Sequence, residues 1–112
     1  MNDFLQKLKQ NPQNNSFEDT MSAIDENYNF TPTEFKNGEQ LNAENENNGS
    51  CKIFAFALMH KLTEQQTLHC FGDYYRKDVL NNPHNTDHQN IRNFMKTGWS
   101  GIVFNSKPLT EK

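Results

Sequence analysis

The stretch Ser50–Leu62, SCKIFAFALMHKL, constrains the fold of this chain more than any other part of its sequence. It is the densest apolar segment, and its only basic side chains of fixed charge are Lys52 and Lys61. Ser50 follows a glycine and predicts an N-cap, because its hydroxyl can accept a hydrogen bond from a free amide of the first turn. Apolar residues occur nearly all round the predicted helix, which is typical of a helix buried at the centre of a domain. We therefore predict that this segment is the core helix.

The composition predicts one domain with a small aromatic core and a polar surface. A chain of 112 residues is long enough for one core, and its nine Phe supply large apolar side chains although the mean hydropathy is -0.99. A net charge of -3 gives no general attraction to nucleic acid or to anionic lipid. No window approaches the roughly 18 consecutive apolar residues of a membrane span. We therefore expect neither nucleic-acid binding nor a transmembrane segment.

The ends and the cysteines of the chain bear on its localisation. The N-terminal residues MNDFLQKLKQ lack the apolar core of a Sec signal peptide, so Sec export is not expected. Two cysteines, Cys51 and Cys70, fit a reducing cytoplasm better than a secreted fold that depends on disulfides. The expected localisation is the cytoplasm.

Four further helices are predicted from apolar periodicity and from capping residues. The second has one apolar stripe, and the fourth and fifth begin at capping boxes of the form T-x-x-Q. Gly72 falls inside the fourth helix and costs about 1 kcal/mol there relative to Ala, so close packing against another element is expected. The four helices are predicted over residues 2–10, from Ser16 to Tyr28, from Thr63 to Asn81 and from Thr86 to Gly98.

A small β ribbon is predicted beside these helices. Asn37-Gly38 is the strongest hairpin-turn signal in the chain, which predicts a hairpin from about Thr33 to Asn42. The β-prone run 102–104 needs a partner, and Phe30–Phe35 is the obvious candidate; residues 106–112 are predicted to be a polar tail. The predicted fold class is mainly α (α+β), a five-helix single domain over residues 1–112 around a buried central helix, with a small β ribbon from residues 30–42 and 102–104.

The cysteines carry the first candidate chemistry. Cys51 is predicted in the first turn of the core helix, where free amides and the helix dipole lower the pKa of a thiol. A hydrolase that uses Cys51 or Cys70 as its nucleophile is therefore one hypothesis, although no base or oxyanion donor can be placed beside either. The alternative, a small buried apolar side chain, is the favoured interpretation because free cysteines are commonly buried. No catalytic residue is assigned.

Polar and aromatic side chains of the last two helices define a candidate ligand pocket. One interpretation is a polar network that holds two helices together, with Arg92 reaching Asp73 or Asp78. The other is a pocket between helices that binds a small molecule. The predicted lining residues are Asp73, Tyr74, Arg76, His88, Arg92 and Trp99.

The segment H-x-x-D-H contains the only residues with ligand-like spacing for a metal. His84, Asp87 and His88 are weak candidates, because His84 precedes the predicted helix and a structural zinc site needs three or four ligands. Asp87 at a helix start is ordinary compensation of the helix dipole. We predict neither a metal nor a cofactor.

The chain as a whole resembles a known family in seven blocks of sequence. These blocks begin at Met1 (MNDFL), Phe17 (FEDT), Gly49 (GSCKIFAFA), Cys70 (CFGDYYR) and Thr86 (TDHQNIRNF), with YNFTPT and GWSGI between and after them. Together they closely resemble the HopJ family of type III effector-like proteins of Gram-negative bacteria. The resemblance covers nearly the whole chain.

The resemblance implies a small, mainly helical bacterial protein that is exported by type III secretion into a host cell. It implies no reaction, no cofactor and no named target. The first functional hypothesis is therefore an effector-like protein that acts by binding a host or bacterial protein. The alternative is a resident cytoplasmic protein that binds a small molecule or a metal in the pocket between helices.

Overall fold

A computed structural model describes residues 1–112, and it places the predicted core helix at the centre of the molecule. Helix α3 spans Asn48–Met59, and its residues Cys51 and Ile53–Ala57 are buried. The helix begins two residues before the predicted cap Ser50, because Asn47 adopts a left-handed conformation with φ 53° that asparagine tolerates well. It ends where Lys61 takes φ 54°. The prediction of a buried central helix is confirmed.

Five α-helices and five short strands make up a mixed α+β domain, which confirms the predicted fold class. Helices α1 and α2 agree with the predicted ranges, and the Ser16 hydroxyl caps α2 by accepting a hydrogen bond from the amide of Asp19 at 3.0 Å. Each of these helices is too short or too polar to span a lipid bilayer. The elements beside α3 are α1 (Asn2–Gln10), α2 (Phe17–Asn27), β1 (Tyr28–Phe30), β2 (Phe35–Asn37), β3 (Gln40–Asn42), α4 (Glu64–His69), α5 (Gln89–Thr97), β4 (Ile102–Phe104) and β5 (Leu109–Glu111).

The predicted fourth helix is interrupted. Helix α4 begins at the predicted capping box of Thr63 and Gln66 but ends at His69, and a π-helical segment follows over Tyr74–Val79. Gly72 causes the break, because its φ of +62° is left-handed. A Cβ atom at Gly72 would lie 2.6 Å from the backbone nitrogen of Phe17, so the expected close packing is present while the continuous helix is not.

The fifth helix begins later than the predicted cap Thr86. Its N-cap is His88, with φ 52°, and helix α5 starts at Gln89. The side chain of Gln89 donates to the Thr86 carbonyl instead of completing a capping box with the Thr86 hydroxyl. Gly98 ends the helix as predicted, with φ 58°.

Two chain segments, 27–38 and 101–112, form an antiparallel ribbon with one continuous register. Strands β1 and β5 pair Tyr28 with Glu111, and strands β2 and β4 pair Phe35 with Phe104. Between the two pairs of strands, Thr33 still lies opposite Ser106, with 2.6 Å between their hydroxyl oxygens. Strand β3 pairs with β2 through the predicted turn after Asn37. The hairpin is confirmed, but β4 pairs with Phe35–Asn37 and not with the whole of Phe30–Phe35.

The end of the chain is a strand and not the predicted polar tail. Residues Leu109–Glu111 form β5, and the Leu109 side chain is fully buried against the core. One apolar residue in an otherwise polar segment is too weak a pattern to reveal a strand from sequence.

Truncation of Leu109 is expected to be costly for this reason. We expect Leu109→Ala to lower the free energy of unfolding by about 2–3 kcal/mol, because it removes buried apolar volume. Equilibrium urea unfolding measures the change, and Thr110→Ala on the exposed face of the same strand is the control. Equal effects of the two variants would contradict the buried position of Leu109.

Candidate functional site

A cleft of about 460 Å³ lies between the N-terminal ends of α3 and α5. Its walls come from the first turns of both helices, from the β2–β3 hairpin, from the start of α2 and from the π-helical segment. The left-handed residues Asn47 and His88, which cap the two helices without side-chain cap bonds, both border it. Its lining residues include Phe17, Gln40, Ser50, Tyr74, His88 and Asn90.

Tyr74 and His88 are the two predicted pocket residues that the structure brings together in this cleft. Their ring centroids are 5.2 Å apart, and Tyr74 also packs edge-on against Phe17 at 5.2 Å. The Nε2 atom of His88 lies 3.1 Å from an Asp78 carboxylate oxygen. The break at Gly72 and the following π-helix direct Tyr74 into this cleft, a direction that regular helical spacing does not give.

Asp73 and Arg76 lie in a neighbouring depression of about 430 Å³ that Tyr74 separates from the cleft. Arg76 donates to the backbone carbonyl of Pro12 at 3.1 Å and to that of Asn15. It thereby holds the loop between α1 and α2 against the π-helix. Asp73 is exposed, with its oxygens 3.7 Å from Arg76 Nη2 and 3.5 Å from a lysine. Such an exposed pair contributes little to stability.

Arg92 and Trp99 lie elsewhere, so the six predicted residues do not line one common pocket. Arg92 forms an ion pair with Asp87 at 2.7 Å and donates to the Asn82 carbonyl at 3.0 Å, and not to Asp73 or Asp78. These bonds fix the loop before α5. Trp99 packs against the core, with its indole nitrogen donating to the Leu62 carbonyl at 3.3 Å.

The weak metal candidates are also divided between two places. His84 borders a third cavity, together with Arg92, whereas His88 faces the cleft with Tyr74. The nearest Asp87 oxygen is 3.8 Å from His88 Nε2. Asp87 instead accepts a hydrogen bond from Arg92, which is the main reason that the pKa of Asp87 lies below its ordinary value. No group of three or more His, Cys, Asp or Glu side chains is arranged to hold a metal ion.

A buried amide network that the sequence analysis did not identify forms the polar wall of the cleft. The Asn42 Oδ1 atom accepts hydrogen bonds from Asn90 at 3.0 Å, from Asn47 at 2.7 Å and from Gln40 at 3.2 Å. Asn37 is fully buried and donates to the Asn90 carbonyl at 2.8 Å. The network fixes the β2–β3 hairpin to α5 and to the start of α3. In a chain so rich in polar residues, asparagines are expected at the surface, so the sequence gives no sign of the buried amide network.

Both cysteines are buried thiols in this structure. Burial raises the pKa of Cys51 to about 11 and that of Cys70 to about 12. The expectation of a lowered pKa for Cys51 is wrong, because burial of the thiol raises its pKa. The helix also starts earlier than predicted, so the Cys51 amide is not free and donates to the Asn47 carbonyl at 3.0 Å. At neutral pH neither side chain is the thiolate that a nucleophile requires.

Two other histidines, His60 and His69, make the stability of the fold depend on pH. Burial lowers the pKa of His60 below 6.5, and burial together with the nearby Arg76 guanidinium lowers the pKa of His69. The unfolded chain therefore binds protons near pH 6.5 while the folded chain does not, so stability is lost as the pH falls through 6.5.

We expect the midpoint urea concentration of unfolding to decrease when the pH is lowered from 7.5 to 5.5. The double variant His60→Gln/His69→Gln should show a smaller decrease. His84→Gln is the control, because His84 is exposed. If the urea midpoint of the double variant decreased with pH as much as that of the unaltered protein, these two histidines would not be the cause.

Comparison with known proteins places this architecture in a family. A crystal structure of VPA0580, a protein of unknown function, is similar to the chain with 55% sequence identity and a TM-score of 0.99. The similarity covers 100% of this chain and 93% of that one. A comparison with curated proteins found no match. The model of the HopJ type III effector protein family matches residues 1–109. The chain therefore belongs to the HopJ type III effector protein family.

Proposed function

We propose that the protein is an effector-like protein that acts by binding a host or bacterial partner protein. Family membership supports the effector-like part, and the exposed apolar side chains of the sheet and of α3 support the binding part. Leu41 and Val103 are 61% and 56% exposed, and Leu58 and Met59 are 45% and 37% exposed. Scattered apolar residues are normal on a surface, but exposed apolar residues that lie close together are typical of an interaction site.

The arrangement of these side chains is the observation that carries the proposal. Lys36 lies opposite Leu41 on one side and opposite Val103 on the other, so the three side chains form one row across the outer face of the sheet. Each side chain of the row projects into solvent because the opposite face, which includes Phe35, covers the core. A partner surface can therefore approach without any rearrangement of the fold.

A translocation assay tests the effector-like part. The full chain is fused to a reporter enzyme that is active only inside eukaryotic cells, and it is expressed in isogenic bacteria with and without a working type III apparatus. We expect reporter activity in host cells only when the apparatus works. Activity that is absent from both strains, or equal in both, would contradict the proposal.

The cleft supports a second candidate, the binding of a small molecule by a resident protein. The specific observation is the meeting of the exposed Tyr74 ring with His88 above a polar wall that includes Ser50 and Asn90. An aromatic face beside hydrogen-bonding groups suits a small molecule that carries both a flat ring and polar substituents.

A fragment screen by ligand-detected NMR tests this candidate. We expect ring-containing polar fragments to bind, and Tyr74→Ala to abolish their binding while Leu80→Ala, a similarly exposed site, does not. Fragments that bind both variants equally would exclude the cleft as their site.

A further inference from the structure

Strand β4 leaves one edge of the sheet without a partner strand. The order of strands is β3-β2-β4, so β4 pairs with β2 on one side only. Amide hydrogen bonds join Gly38 to the Gly101 carbonyl at 2.9 Å and Asn105 to the Glu34 carbonyl at 3.2 Å. In an antiparallel ladder this alternation turns the N–H and C=O groups of Val103 toward β2 and those of Phe104 away from it. The outward groups of Phe104 can therefore bond to another strand.

An apolar groove adjoins this free edge. It has a volume of about 320 Å³, and Phe104 itself forms part of its wall. Leu58 and Met59 from the end of α3 also line it, together with Ala55 and Leu109. Side chains of a strand alternate between two faces, so an added strand would direct every second side chain over this groove. The edge and the groove together have the geometry of a strand-addition site.

The charge at the groove selects the partner. Lys107 is the only charged residue that lines it, and no carboxylate lies within 4.0 Å of its ammonium group. All other lining residues except Ser106 are apolar. A segment that fits therefore carries one large apolar side chain for the groove and an acidic side chain close by for Lys107.

We propose that the β4 edge binds an extended, acidic and apolar segment of a partner protein by strand addition. Main-chain hydrogen bonds to Phe104 give part of the affinity, and the groove of Leu58 and Met59 gives the sequence preference. The proposal rests on the proposed partner-binding function and names its site and the class of its ligand.

The experiment uses the full chain and a displayed library of random twelve-residue peptides. We expect selection to enrich peptides in which apolar and acidic residues alternate. Leu58→Glu should weaken the binding of these peptides roughly tenfold or more, because it places a charge in the apolar groove. Lys107→Glu should weaken it several-fold by charge repulsion. Leu80→Glu and Lys96→Glu are the matched controls, because both residues are exposed and lie outside the groove, and they should bind with unchanged affinity.

Strand addition also predicts a dependence on the peptide backbone. N-methylation of alternate peptide amides should abolish binding in one register and leave it unchanged in the other, and the Phe104 amide should become protected from hydrogen exchange.

The proposal is overturned if no peptides are enriched, if enriched peptides bind Leu58→Glu with full affinity, or if N-methylation has no effect. If only Leu80→Glu weakened the binding of the enriched peptides, the β4 site would be overturned while partner binding would be supported. A dimer of the chain that blocks the groove would assign this edge to a second copy. The translocation assay is independent of all these outcomes, so failure of the site is distinguishable from failure of the effector-like function.

Discussion

Phe54→Ala is expected to lower the free energy of unfolding by about 3–5 kcal/mol, because its ring is fully buried at the centre of the core. A loss of this size is a large fraction of the 5–15 kcal/mol that is typical of small domains, so the variant should populate the unfolded state even without denaturant at moderate temperature. Equilibrium urea unfolding, followed by circular dichroism, measures the change. The ring packs against four others, those of Phe35, Phe71, Phe94 and Trp99, at centroid distances of 6.2, 5.6, 5.0 and 6.4 Å.

Leu58→Ala is the matched control for this prediction. Leu58 lies one turn further along the same helix, but its side chain is 45% exposed, so its truncation removes much less buried apolar area than truncation of Phe54 does. We expect its cost to stay below about 1 kcal/mol. Similar losses of stability in the two variants would mean that the side of α3 that carries Phe54 is not buried.

Gly72→Ala is expected to lower the free energy of unfolding by about 3 kcal/mol or more. The new Cβ would lie 2.6 Å from the backbone nitrogen of Phe17 and 3.0 Å from backbone atoms of Ser16, and the left-handed φ of +62° adds its own penalty. Backbone cannot move aside as a side-chain end can, so the start of α2 must separate from the segment after α4. The same urea titration measures the loss.

Gly38→Ala separates the cost of the left-handed backbone from the cost of the steric clash. Gly38 has nearly the same φ, +61°, but its nearest non-neighbouring atom to a new Cβ is a threonine side-chain oxygen at 3.2 Å. We expect a loss of about 1–2 kcal/mol from the backbone conformation alone. An equal loss at Gly72 would show that the contact with Phe17 relaxes at no cost.

The central helix and the hairpin could be predicted from sequence because their patterns are strong and local. The apolar stretch around Phe54 has few alternatives to a buried helix, and Asn37-Gly38 has few alternatives to a tight turn. The buried helix and the hairpin were therefore predicted correctly, although α3 begins at Asn48 and not at Ser50.

The parts that failed depend on contacts between distant residues. Gly72 breaks the fourth helix because α2 passes within contact distance of it, and a helix propensity does not include that neighbour. Leu109 belongs to a strand because β1 lies opposite it. Likewise His88, and not Thr86, caps α5, because the Arg92 side chain binds Asp87 and fixes the preceding loop.

The positions of the candidate pocket residues follow only in part from sequence, for the same reason. Regular helical spacing spreads Tyr74 and Arg76 around one cylinder, but the π-helix turns Tyr74 toward His88 and Arg76 toward the loop before α2. Trp99 was placed with them because the direction of the chain after Gly98 cannot be read from local sequence; in the structure it covers the core. The amide network around Asn42 involves three separate segments, and only the fold brings them together.

Native-state hydrogen exchange of the α3 amides tests the central claim, a buried helix around which the rest of the chain packs. We expect the amides of Ile53–Ala57 to exchange among the slowest in the protein and only through global unfolding, with a free energy equal to that from urea titration. Exchange of these amides as fast as those of the peripheral helix α1 would contradict it.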